Sequence, residues 1–435
     1  MDKKNTVRPV KENERNEKKR CYAISDSELK LSFDAGVQKA LGIEQNAEFR
    51  IVTHQDRIEI FPNIHSLGKL YIEPTSDCNL NCRTCIRHSW NENMGNMQWP
   101  VFQQIVKQIK EFHHVHTVMF GGFGEPTFHP DILNMIGSIS AMDIRTEMVT
   151  NGTLLNEAMI RGLYRNKLDM LWVSFDGTSE ENFDDLRRGA SFTQVTNNLM
   201  LLNSIGVEFD HQINIGIAFV VMKQNIKDLK KLKQLAYKVG AKKISVSNVL
   251  PYNKHMAKDM VCTHTIAQSK QSDLISDNDI SISLPLIDGK YMTEEVNLST
   301  LLREYDSVSI LTNKIGVESN RCRFIKDRAS VIKWNGDITP CMGLIHQYKQ
   351  YMSTANLERI VEPYVLGNVG QKTLKEVWYS EEYKAFRERV DQFDFSPCHS
   401  CGGCTLSETN LEDCFGNEFP TCGGCLWAQG VIQCP

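Results

Sequence analysis

The segment Cys78-Asn79-Leu80-Asn81-Cys82-Arg83-Thr84-Cys85 lies just beyond the apolar run Leu70-Tyr71-Ile72. Three thiolates spaced C-x3-C-x2-C on one loop can hold three irons of a 4Fe–4S cluster, for which four cysteines are the usual complement. The fourth iron is then open, and an open coordination position lets a bound metal do chemistry rather than only hold a fold. A zinc site or three unrelated thiols are the plainer readings of the same residues, and the rest of the chain decides between them.

The chain has 435 residues, 41% of them hydrophobic, enough for two or three domains with ordinary cores. A net charge of −4 and a pI near 6.3 leave no nucleic-acid footprint on the whole protein. There is no run of eighteen apolar residues and no apolar signal core near Met1, so the expected location is cytoplasmic, with no membrane association. Fourteen cysteines in such a protein point to metal ligation rather than disulfides. Three are in the triad, nine lie between Cys322 and Cys434, and only Cys21 and Cys262 stand alone. Exposed clusters are oxygen-labile, so an anaerobic setting is expected.

Residues 1–20 carry eight Lys/Arg and four Asp/Glu with almost no large apolar side chain, so 1–21 reads as a disordered tail. Residues 22–64 read as a small β-rich unit. Strands are expected at 29–33, 47–52 and 57–61, with a short helix over 34–41 closed by Gly42 and a polar turn at 54–56. From 65 to 252, strand-like and helix-like segments alternate six times. The strands are expected at 69–75, 117–122, 145–150, 170–174, 214–222 and 243–249, with helices such as 101–112, 131–142, 195–205 and 226–239. Regular alternation of this kind makes an α/β fold with a parallel sheet covered by helices, and six units fall short of the eight that close a full barrel. Residues 253–320, weakly periodic and polar, read as a bridge or lid, and 321–435 as a separate cysteine-rich domain.

In parallel α/β architectures reactive groups gather at the C-terminal ends of the strands. The first strand leads into the triad. The second ends in Gly121-Gly122-Phe123-Gly124-Glu125-Pro126, where bare backbone permits close approach of a ligand. The third ends in Thr150-Asn151-Gly152, equally readable as a strand-terminating turn. The fourth ends in Ser174-Phe175-Asp176-Gly177, with Arg187-Arg188-Gly189 beyond it. In this order the motifs resemble those of the radical S-adenosylmethionine (SAM) enzymes, which fold as a partial (β/α)6 barrel. The resemblance implies that the open iron of the Cys78, Cys82 and Cys85 cluster chelates SAM, whose reductive cleavage yields a 5′-deoxyadenosyl radical. It further implies SAM contacts from Gly121, Gly122, Gly124, Glu125, Asn151, Ser174 and Arg187, with Arg188 a rival to Arg187. A guanidinium suits a carboxylate because it offers paired donors in one plane. His113, His114 and His116 precede the second strand, on the opposite face, and read as structural or solvated.

Beyond the barrel, Cys322-x13-Gly336-x4-Cys341 resembles the opening of a SPASM domain, which carries auxiliary iron–sulfur clusters in enzymes that act on peptides and proteins. Cys398, Cys401, Cys404, Cys414, Cys422, Cys425 and Cys434 follow, at spacings that depart from the usual SPASM pattern. Two fully ligated clusters need eight thiolates and nine are present. A zinc ribbon over Cys398 to Cys425 is the alternative. The N-terminal unit resembles an AbrB-type swapped hairpin, implying docking or dimerisation, with DNA binding as the other possibility. With the tail from Cys414 to Gly430, these features resemble the radical SAM maturases of tungsten-containing, aldehyde:ferredoxin-type oxidoreductases. The implied partners are such an oxidoreductase, as protein or peptide substrate, and reduced ferredoxin or flavodoxin as electron donor. A SPASM enzyme forming thioether or carbon–carbon links in a peptide, an anaerobic sulfatase maturase, and an iron–sulfur redox-sensing regulator on DNA are the alternative readings.

Overall fold

The computed structural model describes residues 23–25, 28–30, 49–53, 58–112, 114–262, 281–284, 307–310, 322–352, 357–398 and 404–435. The chain divides into two compact units, Met1–Pro62 and Asn63–Pro435. In the first, β1 (Ala23–Ser25) pairs antiparallel with β2 (Glu28–Lys30), and β3 (Phe49–Thr53) with β4 (Ile58–Pro62), Ile51 opposite Ile60. The helix expected at 34–41, the Gly42 stop and the turn at 54–56 lie outside the described residues.

The second unit contains β5 (Lys69–Ile72), β6 (Thr117–Phe120), β7 (Arg145–Thr150), β8 (Met170–Ser174), β9 (Asn214–Val221) and β10 (Ala241–Asn248). These six are parallel neighbours in one sheet. β5 and β6 are buried at every residue, as expected of strands covered on both faces. Helices return the chain between them. Trp99–Ile109 starts with a proline in its first turn, which needs no N–H there. Asn156 and Ser191 cap the helices Glu157–Arg165 and Phe192–Gly206 with side-chain acceptors. Leu232–Val239 stops at Gly240, which takes the left-handed conformation at φ 71°. Among the described residues no helix is long and apolar enough to cross a membrane.

The sheet does not stop at six strands. β11 (Ser281–Leu284) and β12 (Ser307–Ile310) extend it in parallel beyond β10. Both come from the stretch read from sequence as a polar bridge or lid. Ser281-Ile282-Ser283-Leu284 alternates at period two, and its serines make it look like polar linker when composition is averaged. At the other edge β13 (Ala329–Ile332) pairs in parallel with β5, then antiparallel with β14 (Asp337–Thr339), which pairs with β17 (Gly367–Asn368). β15 (Tyr348–Met352) and β16 (Leu357–Val361) form a separate hairpin. Gly336, noticed in sequence as a spacing marker, closes the β13–β14 turn at φ 89°, where a β-carbon would be strained.

The cysteine-rich segment is therefore continuous with the barrel sheet. Gln108, buried on the first barrel helix, ties the two together: its Nε2 donates to Val369 O at 3.0 Å and its Oε1 accepts from Leu374 N–H at 2.8 Å. Gln108→Leu leaves both backbone groups buried without partners, and a chemical-denaturation midpoint should report a loss of about 1–3 kcal/mol.

Candidate active site

Cys78, Cys82 and Cys85 are half-buried on the loop after β5. The loop is pinned from below, with Asn81 N–H donating to Arg188 O at 3.1 Å and Arg83 N–H to Leu186 O at 2.9 Å. Donors also meet the sulfurs. Leu80 N–H lies 3.4 Å and Asn151 Nδ2 3.8 Å from Cys78 Sγ, and Arg87 Nε 3.1 Å from Cys85 Sγ. Such donors suit sulfur that carries negative charge, as it does on iron. Burial pushes the Cys82 thiol up to about 11, with the Arg187 charge pulling the other way. The Cys82 thiol is thus protonated without metal, and ligation must release its proton.

The glycine turn is built against this loop. A β-carbon on Gly124 would fall 2.2 Å from Thr75 O and 2.7 Å from Asp77 O, both backbone atoms of the triad approach. One on Gly122 would fall 2.5 Å from Glu73 Cγ, whereas Gly121 meets only Val149, at 3.6 Å. Glu125, 2% exposed, has its carboxylate fully engaged by the protein. Its Oε1 accepts from Thr127 N–H, Thr127 Oγ1 and Thr150 Oγ1 at 3.0, 2.6 and 2.7 Å, and its Oε2 from Asn151 N–H at 2.6 Å. Burial raises this carboxyl's pKa while the four donors oppose the rise. The sequence placed Glu125 on the cofactor; the structure makes its side chain a positioning group. Asn151 likewise reaches across to the triad, donating to Asn79 Oδ1 at 2.9 Å.

Ser174 is half-buried at the end of β8. Arg187 Nε pairs with Asp176 Oδ2 at 3.0 Å, their side chains 12% and 1% exposed, and Asp176 Oδ1 accepts from Val220 N–H at 3.1 Å. Arg188 is exposed, so of the two neighbours Arg187 is the one that turns inward, beside Cys82. His116 sits at the start of β6, its N–H on Gly68 O and its Nδ1 beside Thr117 Oγ1, away from the triad; His113 lies outside the described residues.

Sequence reasoning missed a buried chain of charges beside the glycine turn. His346 Nε2 lies 3.1 Å from both Glu73 oxygens, and its Nδ1 2.9 Å from Glu92 Oε2, which also accepts from Lys333 Nζ at 2.7 Å. Glu73 also accepts from Phe123 N–H at 3.3 Å, and the Trp90 ring stacks on His346 at 3.9 Å. The available signal was Glu73, an acid directly after the apolar run Leu70-Tyr71-Ile72. Burial alone would lower the His346 pKa, but the two carboxylates outweigh it and raise it above 6.5. Glu92 is held down to about 2 by His346, Lys333 and Gln347 N–H, against the opposing effect of burial.

The C-terminal cysteines separate by place. Cys322, Cys341, Cys422 and Cys425 line one cavity of about 520 Å3, walled by Phe324, Leu344 and Trp427. Burial and mutual proximity push Cys322 up to about 12 and Cys341 and Cys422 well above the usual thiol range. Four thiols around one apolar space fit a fully ligated iron–sulfur cluster. No set of His, Cys, Asp or Glu surrounds a single metal-ion position among the described residues. Cys398 is buried against Ser396 Oγ at 3.0 Å, Cys404 and Cys414 are exposed, and Cys401 lies outside the described residues. Cys434 stands apart, with Trp427, Arg323 and Lys69 for neighbours.

Residues 72–236 match the radical SAM superfamily and residues 322–405 the SPASM iron–sulfur cluster-binding domain. The chain is a radical SAM enzyme with a SPASM domain. Its cofactors are SAM and iron–sulfur clusters. It is 29% identical over 376 residues to the tungsten-containing aldehyde ferredoxin oxidoreductase cofactor-modifying protein of Pyrococcus furiosus, an alignment covering 84% of this chain and 96% of that one. It is 21% identical over 364 residues to the PqqA peptide cyclase of Gluconobacter oxydans, covering 81% and 89%. In fold it is similar to Streptococcus suis SuiB bound to S-adenosylmethionine, with a TM-score of 0.52 and 21% identity over 78% of this chain and 71% of that one.

Two outcomes follow from the site's geometry. Arg187→Lys keeps a cation beside Asp176 but loses the planar fork; SAM affinity measured by equilibrium dialysis should fall by roughly 1.5–3 kcal/mol with iron at the triad retained. The His346 pKa is raised on folding, so its contribution is complete below pH 6.5 and fades as pH rises through the folded value. The Glu92 contribution, from a lowered pKa, is complete above 4.5 and fades toward about 2. Denaturation of metal-free wild type and His346→Gln across pH should therefore differ most between 4.5 and 6.5 and converge on the alkaline side.

Proposed function

We propose that this enzyme matures a tungsten-containing oxidoreductase of the aldehyde:ferredoxin type, modifying either the protein or its cofactor. The observation that carries the reading is the near end-to-end similarity to the Pyrococcus furiosus cofactor-modifying protein. Cys78, Cys82 and Cys85 would hold the cluster whose open iron binds SAM. When bound, that pair supplies a 5′-deoxyadenosyl radical by reductive cleavage of SAM. The glycine turn from Gly121 to Gly124 offers backbone close to the triad, and Arg187, fixed by Asp176, offers a fork for the SAM carboxylate. Ser174 and Asn151 complete the proposed contacts at the ends of β8 and β7. The buried strand ends and the adjoining cysteine-rich segment exclude water, which a reactive radical requires.

Cys322, Cys341, Cys422 and Cys425 are proposed as the ligands of one auxiliary cluster, and Cys398, Cys401, Cys404 and Cys414 as those of a second. Cys434 is the surplus thiol. Electrons would come from reduced ferredoxin or flavodoxin, and the unit Met1–Pro62 would dock the partner or dimerise the enzyme in an anaerobic cytoplasm. The similarity to the PqqA peptide cyclase supports a second reading, in which a small peptide is cross-linked.

Anaerobic co-expression with a tungsten oxidoreductase distinguishes the two. The maturation reading expects a mass change in the oxidoreductase or its cofactor, absent when this enzyme is omitted. An unchanged partner, together with a mass loss in a short peptide supplied as substrate, would instead establish the peptide reading. Deleting residues 1–62 should leave SAM cleavage without partner largely intact while partner modification falls sharply. Full-rate modification by the truncated enzyme would reject the docking role.

A further inference from the structure

Arg359, in β16, is 1% exposed and bonds to segments that carry cysteines of both C-terminal sets. Its Nη1 donates to Ser407 O at 2.9 Å, in the turn that follows Cys404, and its Nη2 reaches Thr421 Oγ1 at 3.5 Å, beside Cys422. The guanidinium lines the same cavity as Cys322, Cys341, Cys422 and Cys425. It packs so closely on the backbone between the last two that a β-carbon on Gly424 would fall 2.8 Å from its Cζ. The Cys398 sulfur acts on the same guanidinium, raising its pKa against the fall that burial causes.

No carboxylate pairs with Arg359 among the described residues. Its acceptors among the described residues, Ser407 O and Thr421 Oγ1, are neutral, and neutral groups do not offset the desolvation of a full charge. The contrast with Arg187 is direct, since that buried guanidinium has Asp176 at 3.0 Å. A fully buried cation is costly without a nearby anion or an aromatic face, and the latter is what Arg387 has in Trp378 and Tyr383. The chemistry around Arg359 supplies an anion only when the cysteines of both sets are thiolates bound to iron, because such clusters carry net negative charge. Tyr348, which also acts on the Arg359 charge, has its own pKa driven upward by burial, so it stays neutral.

We propose that Arg359 is the shared counter-cation of the two auxiliary iron–sulfur sites, holding their ligands together and setting the potential of both centres. The inference rests on the assignment of the C-terminal cysteines to clusters. Cluster potential responds to net charge and to hydrogen bonds at sulfur, and a fixed cation favours the reduced, more negative state. Arg359→Met removes the charge at similar length; Arg359→Lys keeps it without the fork.

The test uses full-length protein in which Cys78, Cys82 and Cys85 are alanine, so that only the C-terminal centres report. Iron content and an EPR-monitored redox titration are compared across wild-type Arg359, Arg359→Met and Arg359→Lys. The expected result is a shift of the auxiliary midpoints to more negative potential in Arg359→Met, largely restored in Arg359→Lys. Loss of iron from Arg359→Met but not from Arg359→Lys also supports the role, since charge is then what holds the site. Iron retained with unchanged midpoints overturns it, as does equal iron loss from both variants. Absence of C-terminal iron even with Arg359 in place would overturn the cluster assignment itself, a failure distinct from the others.

Discussion

Four hydrogen bonds onto one buried carboxylate organise the reactive end of this enzyme. Glu125 receives donors from its own turn and from the end of β7, and its N–H donates to Asp77 O on the approach to the triad. Hydrogen bonds to a charged group contribute about 1.5–3 kcal/mol each, which opposes without cancelling the desolvation that burial imposes. The consequence is geometric. The cysteine loop, the glycine turn and the Thr150-Asn151-Gly152 turn are fixed relative to one another, so sulfur ligands and bare backbone face a common space. Gly124 belongs to the same device, because the carbonyls of Thr75 and Asp77 occupy the room a side chain would need.

The C-terminal module is built onto this frame rather than tethered to it. β13 lies against β5, the strand that delivers the triad, and Cys322 caps the short helix Arg323–Lys326 that leads into β13. His346 then bridges from the module to Glu73, immediately behind Gly122. One sheet edge thus connects the C-terminal cysteines to the glycine turn. Buried ionic contacts of this kind seldom add much net stability against apolar packing, but breaking one side of them is costly, which makes them specifiers of register between segments.

Much of this was legible in the sequence, and the failures have physical causes. β5 through β10 announce themselves through short apolar, β-branched runs such as Val118-Met119-Phe120 and Leu171-Trp172-Val173 set between helical patterns, and the motifs at their ends follow from the fold's own logic. β11 hides behind its serines. The pairing of Ala329 with Lys69 and the contact of His346 with Glu73 join residues far apart in the chain, for which no local pattern exists. Arg187 could not be separated from Arg188 by spacing; burial against Asp176 separates them. The glycine-rich motif was read as a unit; in the fold the carboxylate of its glutamate accepts from Thr127, Thr150 and Asn151.

The central claim is that the loop carrying Cys78, Cys82 and Cys85 holds the cluster with the open iron. The EPR spectrum of reduced, cluster-loaded protein, recorded with and without SAM, tests it most directly. The account predicts that SAM alters the signal in wild type and in a variant with Cys322 and Cys341 replaced by alanine, and that the response vanishes when the three loop cysteines are replaced. A SAM-induced change that survives loss of the triad, or disappears with Cys322 and Cys341, would contradict it.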